Sequence, residues 1–309
     1  MPEVIQSQNL DSAETMFFAR ELEFKKAQTY DVIRAPLKAM ELIPVSTEAG
    51  PGAETISYEQ YDSTGIAELI ANYGDDLPRS DIKGKEFFAP VKSVGNSYGY
   101  SLQEIRAAQM AGKSLEQRKA NAAARAQREK WNRIAFSGDA ATGLPGWLTN
   151  ANVPASAVAA GASTDTEWNT KTPTEILRDM NDAVNGVIDL TNGIEQPDTL
   201  VLPIKQYTQI ATTRQDTGTD TTILEYFLRN SPTVTSVEWA NELKGAFTGD
   251  TDGFIAYTRS PDKMTLEMPQ MFEQLPVQER GLEFVVNCHS RIGGVIIYYP
   301  LGQVFKYGI

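Results

Sequence analysis

Histidine and cysteine are almost missing from this 309-residue sequence, which contains one of each. A single cysteine cannot build an internal disulfide framework, and metal sites made of thiolates or imidazoles need more ligands than the chain offers. The two residues, Cys288 and His289, are adjacent, and in the strand predicted over residues 282–289 their side chains point to opposite faces. They therefore cannot form a nucleophile–base pair, and we predict no catalytic, cofactor-binding or metal-binding residues.

Long apolar runs are also missing. The apolar stretch at residues 293–301 is far shorter than the roughly 20 residues that a membrane-spanning helix needs, so we expect no membrane partner. Hydrophobic residues make up 41% of the chain and charged residues 22%, which is ordinary for a globular protein. A chain of this length can bury a sizeable core, as one large domain or as two intermixed ones.

Positive charge is scarce overall, because the formal net charge is −12, and this argues against a conventional DNA-binding domain. The deficit is uneven, however. Residues 1–78 carry 5 basic and 14 acidic side chains, residues 79–133 carry 12 and 5, and residues 134–309 carry 11 and 21. A basic middle between acidic flanks can pair with neighbouring subunits or face a polyanion. An ordinary solvated helix is the alternative interpretation.

The basic middle contains the strongest helix signal in the chain. Ser101 followed by Glu104 forms a capping box, the reciprocal pairing of side chains and backbone that starts a helix. Residues 112–114 (GKS) are expected to kink or interrupt it. A second stretch, 115–137, then predicts a helix about 35 Å long at 1.5 Å per residue. The helix has few large apolar side chains, so it cannot bury itself well alone.

Three arginines of this long helix are candidates for contact with a polyanion. At about 100° per residue, Arg118, Arg125 and Arg128 fall within an arc of about 80°. We expect Ala120, Ala124 and Trp131 on the opposite side of the helix.

The first 45 or so residues have too little apolar surface to form a domain of their own. A helix is predicted over residues 11–28 and a strand over 37–45, and neither has a core nearby. Strands are also predicted over 55–61 and over 85–94, the second extended by 97–100, with a polar, turn-rich connection between them. Two strands with a polar tip indicate a protruding β-hairpin, which is marginal in water and needs another surface.

The centre of the chain mixes helices with short strands. Thr172, Pro173 and Glu175 form a second capping box, and a helix with an apolar stripe follows. A buried strand is predicted over 198–202. Further helices are predicted over 203–212 and 222–229.

A polar loop at residues 214–221 separates the last two predicted helices. It contains Arg214, Asp216 and Asp220 and no apolar anchor. The aspartates are spaced loosely like calcium ligands, but the distal glutamate of a calcium loop is absent, and turn chemistry explains them better.

The last third is rich in strands and predicts a C-terminal sheet, so the fold class is α+β. The predicted strands are residues 253–258, 263–268, 282–289, 294–299 and 303–307.

The order of these elements resembles that of the HK97-type major capsid proteins of tailed bacteriophages. Residues 131–139 (WNRIAFSGD), with Gly143, Gly146 and Leu148, look like the end of that family's spine helix and the turn after it. The chain also ends in a way that is similar to the family's returning strand, at residues 291–295, Pro300, Gly308 and Ile309. The resemblance spans nearly the whole chain, and it rests on order and spacing more than on any single motif.

The resemblance implies an HK97-like capsid fold with an arm, an extended loop and two domains. Residues 1–45 would be an N-terminal arm and residues 46–100 an extended loop, the β-hairpin. Residues 101–149 together with 253–309 would form the peripheral domain with its spine helix, and residues 150–252 the axial domain. The loop with Arg214, Asp216 and Asp220 would be an axial loop at the five- and six-fold positions.

The implied function is structural: an icosahedral shell of pentamers and hexamers that encloses a double-stranded DNA genome without sequence specificity. Neighbouring subunits would meet through the arm and the extended loop, and Arg118, Arg125 and Arg128 would face the lumen and its DNA. The resemblance implies a virion capsid location after assembly in the host cytoplasm. Portal, scaffold and decoration proteins stay open as further partners.

Two alternatives belong to other classes. An encapsulin-like nanocompartment of the same fold would hold an enzyme cargo in place of a genome. A soluble enzyme with a carboxylate site would form a small oligomer around a deep pocket, which the scarce histidine and the arm and hairpin disfavour.

Overall fold

The computed structural model of the protein describes residues 34–64, 81–111 and 115–309. The chain divides into two units, Met1–Pro36 and Leu37–Ile309, and every described helix and strand belongs to the second. The predicted helix at 11–28, the tip of the hairpin and the predicted interruption at 112–114 lie outside the described residues. Among the helices that are described, none is long and apolar enough to cross a membrane.

Short strands and a few helices make up the described chain. The α-helices are α1 (Ala39–Leu42), α2 (Leu102–Ala111), α3 (Leu115–Ser137), α4 (Pro173–Leu190), α5 (Ile204–Thr212) and α6 (Ile223–Asn230). The strands are β1 (Val45–Ser46), β2 (Thr55–Thr64), β3 (Asp81–Pro90), β4 (Lys92–Ser101), β5 (Ala155–Ala157), β6 (Thr199–Leu202), β7 (Ser236–Trp239), β8 (Gly253–Tyr257), β9 (Met264–Glu267), β10 (Gln270–Gln274), β11 (Gln278–Arg280), β12 (Glu283–Ile292), β13 (Gly294–Ile297) and β14 (Gln303–Tyr307). Two 3₁₀ turns complete the set, Asn241–Leu243 and Pro300–Gly302.

The strands form four sheets. The largest has the order β5-β14-β8-β6-β7, and the others are β1-β9-β13, a sheet of β10, β12 and β11 with β4 also paired to β12, and the hairpin β2-β3. The α+β class is confirmed, but the expectation of one C-terminal sheet is wrong, because the last five predicted strands divide among three sheets. Burial explains the division. Every residue of β8 is buried, as in a strand covered on both faces, whereas β12 alternates and has one covered face.

The side chains of the central strands alternate between two hydrophobic cores, one on each face of the sheet. In β6 and β8, Val201 and Ile255 face one hydrophobic cluster, together with the end of α3 and strands β9 and β13. Leu200 and Ala256 face the other cluster, which is covered by α4, α5 and α6. The five-stranded sheet is therefore the partition between both halves of the molecule.

The strand predicted over residues 37–45 is wrong for most of its length. Ala39, Leu42 and Ile43 are the buried residues there, and spacings of three and four are those of a helix. Asn132 of α3 accepts a hydrogen bond from the backbone N–H of Ala39 at 2.9 Å, which satisfies a free donor at the start of α1. Only Val45 and Ser46 form a strand, parallel to β9.

The predicted strand over residues 85–94 is two strands with different partners. β3 ends at Pro90 and pairs with β2, whereas β4 starts at Lys92 and runs along β12 for ten residues. Proline removes a ladder donor, and Val91 turns into the protein, where its N–H donates to the carbonyl of Glu54 at 2.9 Å. The antiparallel pairing of β2 with β3 confirms the hairpin.

The predicted helix starts are confirmed in detail. At α2, Ser101 and Glu104 exchange backbone-to-side-chain hydrogen bonds of 3.1 and 3.2 Å. Thr172 and Glu175 do the same at α4, with Pro173 in the first turn. The long helix α3 has the predicted bounds, because its composition is strongly helix-forming and a glycine follows it.

The turn after α3 caps the helix with backbone groups. Gly138 adopts φ +64 and donates to the carbonyl of Ile134 at 2.8 Å. The N–H groups of Trp147 and Leu148 return to the carbonyls of Ala135 and Phe136 at 2.8 and 2.9 Å. Helix carbonyls that would otherwise be buried without partners are thus satisfied. Residues 131–139 with Gly143, Gly146 and Leu148, the motif noted in the sequence, therefore cap the C-terminal end of α3.

This close return predicts that Gly146→Ala destabilises the subunit. A Cβ at Gly146 would lie 2.1 Å from the backbone nitrogen of Gly138, so the turn must move away from the helix end. We expect a loss of about 3 kcal/mol or more in the free energy of unfolding, measured by chemical denaturation of the unassembled subunit. Gly52→Ala is the matched control, because a Cβ there meets nothing within 4 Å. Equal stability of the two variants would contradict this role of the turn.

Candidate functional site

Polar contacts join the N-terminal part of helix α3 to its sheet, around the small apolar contact of Ala123 with Val286 and Cys288. Gln127 donates to the side chain of Asn96 at 2.8 Å, and Asn96 donates to the carbonyl of Ala123 at 2.9 Å. Lys119 reaches the carbonyl of Gly99 at 2.7 Å. Large apolar residues enter the core only in the last two turns, beginning at Trp131. The N-terminal two thirds of the helix therefore keep a polar, accessible surface.

The three candidate arginines keep the predicted arc of about 80° on α3, with Arg128 at its edge. Arg118 is exposed, and Arg125 forms an ion pair with Glu129 at 2.9 Å. Arg128 is exposed and lines a groove beside Ala124, so its predicted place opposite the alanines is wrong. The geometry of the helix is the reason: positions 118 and 125 are about 20° apart, but position 128 is only about 40° from Ala124.

A groove of about 1110 Å³ runs between α2, α3 and the sheet that contains β4 and β12. Its walls combine aromatic rings and alanines with as many polar and charged side chains, and Tyr100 stacks on Phe284 with ring centroids 5.8 Å apart. Burial raises the pKa of Tyr98 and of Tyr100, so both phenols stay neutral at physiological pH. The groove offers contact surface and little chemistry.

The lone cysteine and histidine lie on opposite faces of β12, as expected. Cys288 is buried beside Ala123 and Val286, and His289 is half-buried. Burial raises the pKa of the Cys288 thiol, which is the opposite of what an activated nucleophile needs. Across the three described ranges, histidine, cysteine and carboxylate side chains do not gather in any group of three that could hold a metal ion.

The polar loop at 214–221 is pinched at its base and exposed at its tip. Arg214 pairs with Asp220 at 3.5 Å, and 65% and 99% of the two side chains are exposed. Asp216 accepts the backbone N–H of Thr217 at 2.6 Å, which confirms turn chemistry for this aspartate. An ion pair this exposed contributes little to stability, so the charges of the tip are available to a partner.

One buried ion pair was not predicted from the sequence. Lys171 lies 2.6 Å from Asp179, and neither side chain is exposed to solvent. Trp168 and Arg178 also donate to the carboxylate, at 3.1 and 3.0 Å. The signal was present in the sequence, because position 179 lies on the apolar stripe of α4, where an acidic residue needs a buried partner. The cluster fastens the segment before α4 to the helix.

We predict that Asp179→Asn destabilises the subunit by about 3–5 kcal/mol, because it leaves the Lys171 ammonium buried without its counter-charge. Thermal and chemical unfolding measure the loss. Asp182→Asn is the control on the same helix, at an exposed position, and it should change stability by no more than about 0.5 kcal/mol. Equal stability of the Asp179→Asn and Asp182→Asn variants would contradict a stabilising role of the buried cluster.

The base of the hairpin is anchored by aromatic rings. Tyr58 of β2 stacks on Phe87 of β3 with centroids 5.1 Å apart, and its edge meets Tyr298 at 5.0 Å. Ile56 approaches the backbone at Gly293. These contacts fix one face of the hairpin near its base, while the strands beyond Tyr58 extend away from the aromatic anchor.

A family model and several solved structures are similar to this chain. The family model for major capsid proteins matches residues 65–309. The capsid of Myoviridae phage XM1 is similar over 96% of this chain and 99% of that one, with a TM-score of 0.83 and 18% identity. The capsid of a native GTA particle gives a TM-score of 0.63 at 12% identity, over 92% of this chain and 94% of that one. A chain of Mycobacterium phage Ogopogo gives 0.61 at 12% identity, over 95% and 99%. No curated protein sequence matches the chain.

Proposed function

The chain belongs to the major capsid protein family, and from that premise we propose that pentamers and hexamers of it close into an icosahedral shell around a double-stranded DNA genome. Family membership makes the protein a structural subunit of a virion capsid, with an HK97-like fold, that assembles with copies of itself. The enzyme and nanocompartment alternatives are not favoured. What we propose beyond family membership is that the shell is closed, that it is icosahedral and that it contains double-stranded DNA.

One observation carries it: the similarity to the phage XM1 capsid extends over almost the entire length of both chains. A shell protein needs its protruding parts as much as its core, because these parts connect neighbours. Closed symmetric assemblies supply a partner surface for each protruding element.

We propose the following division of labour within the subunit. Residues 1–45 act as the arm, 46–100 as the extended loop, 101–149 with 253–309 as the peripheral domain, and 150–252 as the axial domain. Strand pairing suggests two refinements. β4 lies in a sheet with β12, so the free part of the extended loop is the β2–β3 hairpin. β8 and β14 share a sheet with β6, so they support the axial domain.

The exposed loop with Arg214, Asp216 and Asp220 would meet its copies at the symmetry axes. Its exposed charges of both signs suit contacts between identical loops, where Arg214 of one copy can reach Asp220 of the next. On family grounds we also propose that the shell assembles in the host cytoplasm. We propose on the same grounds that it contacts portal, scaffold or decoration proteins.

We propose that Arg118, Arg125 and Arg128 face the lumen and neutralise phosphates of the packaged DNA. Such contacts are independent of base sequence and weaken with salt. The wild-type chain should yield megadalton particles from 34.0 kDa subunits, visible by light scattering and negative-stain microscopy, with DNA protected from nuclease. Particles that protect an enzyme cargo, or a stable monomer or dimer, would contradict the proposed function.

Reversal of charge on the helix should lower the DNA content of such particles. In Arg118→Glu with Arg125→Glu we expect intact shells with less nuclease-protected DNA, lost at lower salt than in wild type, because repulsion replaces phosphate contacts. The absorbance ratio of purified particles and their release of DNA in a salt series measure the effect. Lys205→Glu with Lys244→Glu changes the net charge equally at two exposed positions elsewhere. Equal DNA loss in both double variants would contradict a lumenal place for the arginines.

A further inference from the structure

Strand β5 is a free edge of the five-stranded sheet. It pairs only with β14, in parallel, and all three of its residues are exposed. The N–H of Val158 and the carbonyl of Pro154 form hydrogen bonds of 2.9 Å with β14. Because backbone groups alternate in direction along a strand, those of Ala155 and Ala157 point away from the sheet. Nothing in the described part of the chain bonds to them, so the edge can accept a further strand.

A slot of about 310 Å³ follows this edge, between β5, β14 and the last turns of α4. Val304 and Lys306 line it from β14. Both pair with residues of β8 that belong to the hydrophobic cluster under α4, so they face this helix. Leu190 lines the slot from the helix and is 47% exposed. Ligand pockets span about 300–1,000 Å³, so the slot admits a few side chains and no folded surface.

A glycine inside a helix keeps the slot open. Gly186 lies in the interior of α4, where glycine is less favourable than alanine. A Cβ there would meet only the side chain of Val304, at an ordinary contact distance of 4.0 Å. Packing within the subunit therefore does not require the glycine. Glycine also serves where a second backbone approaches closely, and a strand added beside β5 would make such an approach.

Lys306 gives the slot a preference for negative charge. The residue is half-buried, and among the described residues no carboxylate pairs with it. Partial burial makes an unpaired charge costly, so the site favours a ligand that brings a carboxylate. Asp189 lines the slot from the helix side without pairing with Lys306. Its side chain is exposed, so water and salt screen its repulsion of an incoming acid.

We propose that the edge of β5 takes an extended segment of another protein as an additional strand, with an acidic and an apolar side chain, two residues apart, pointing under α4. Residues two apart share one face of a strand. The acidic side chain would lie beside Ser156 and Lys306. The apolar side chain would lie beside Pro154 and Val304. Backbone hydrogen bonds supply affinity in this mode of binding, and the two side chains supply specificity.

The slot favours a separate polypeptide over a copy of this chain. Every described strand already lies in a sheet, so a copy would have to bring the edge of a folded sheet into a space of about 310 Å³. A single extended segment enters without that obstacle. The inference goes beyond the proposed function and does not depend on it.

Synthetic peptides test the proposal on the full-length subunit. The probes are Ser-Thr-Asp-Thr-Ile-Thr-Ser and the reversed sequence Ser-Thr-Ile-Thr-Asp-Thr-Ser, both acetylated and amidated, which cover the two strand directions. We expect one of them to bind with a Kd below about 1 mM by calorimetry, and about tenfold more weakly when lysine replaces its aspartate. Lys306→Gln should remove that difference. Failure of both peptides to bind, or an unchanged difference in Lys306→Gln, would overturn the proposal.

The variant Gly186→Ala separates the slot from folding. Its melting temperature should rise by about 2 °C, because alanine favours the helix. Its affinity for the peptide should fall about tenfold, because a methyl group narrows the slot. Asn185→Ala is the matched control at the neighbouring exposed position of α4, and it should stabilise the helix and bind the peptide like wild type. Equal peptide binding by Gly186→Ala and wild type would contradict the slot.

Shell formation distinguishes the two sources of the strand. Lys306→Gln and Gly186→Ala should assemble like wild type, because the partner is another protein. Loss of shells in both variants, with Asn185→Ala unaffected, would assign the added strand to a second copy of this chain and overturn the choice of partner.

Discussion

A two-stranded hairpin buries little surface and is at best marginally stable alone in water. In this subunit the aromatic contact of Tyr58 with Phe87 and Tyr298 stabilises the base of one face, and nothing in the described part of the chain covers the other. In the shell proposed for this chain, a neighbouring subunit supplies the surface that the hairpin lacks, so that the stability of the hairpin and the stability of the shell are parts of one free energy.

The rest of the subunit provides a rigid base for that contact. The five-stranded sheet is covered on both faces, and the Lys171–Asp179 pair fastens the segment before α4 to the helix that covers one of them. The end of α3 is closed by the returning backbone at Trp147, which brings the long helix and the central core together. A well-packed body is stiff, so strain at a protruding contact is transmitted to it and does not dissipate locally.

Local signals in the sequence predicted the helices from α2 onward well, and nonlocal pairing accounts for the errors among the later strands. The capping residues Ser101 and Thr172 act within one turn of chain, so their effect can be read from neighbouring letters. The split at Pro90 depends on β12, which lies almost 200 residues away in the chain and supplies the partner of β4. The same limit applies to the C-terminal strands, whose division among three sheets follows from which faces are covered.

The candidate site was predictable in composition and less so in geometry. Arg118 and Arg125 are neighbours on the helix as expected, but Arg128, at the edge of the arc, is only about 40° from Ala124 and lines the groove. Asp179 was identifiable in principle as an acid within an apolar stripe. The cross-strand neighbours in the hairpin required the register of β2 against β3, because only the register shows that Glu59 lies opposite Glu86.

Hydrogen exchange of the hairpin amides, compared between the free subunit and the assembled shell, tests the central claim most directly. In the free subunit, amides of β2 and β3 beyond Tyr58 should exchange far faster than those of β6 and β8, because little tertiary contact protects them. In the shell the same amides should slow by about tenfold or more, because docking on a neighbour suppresses local opening. Equal exchange in both states would mean that the hairpin does not depend on a second copy, and it would contradict the coupling of hairpin stability to assembly.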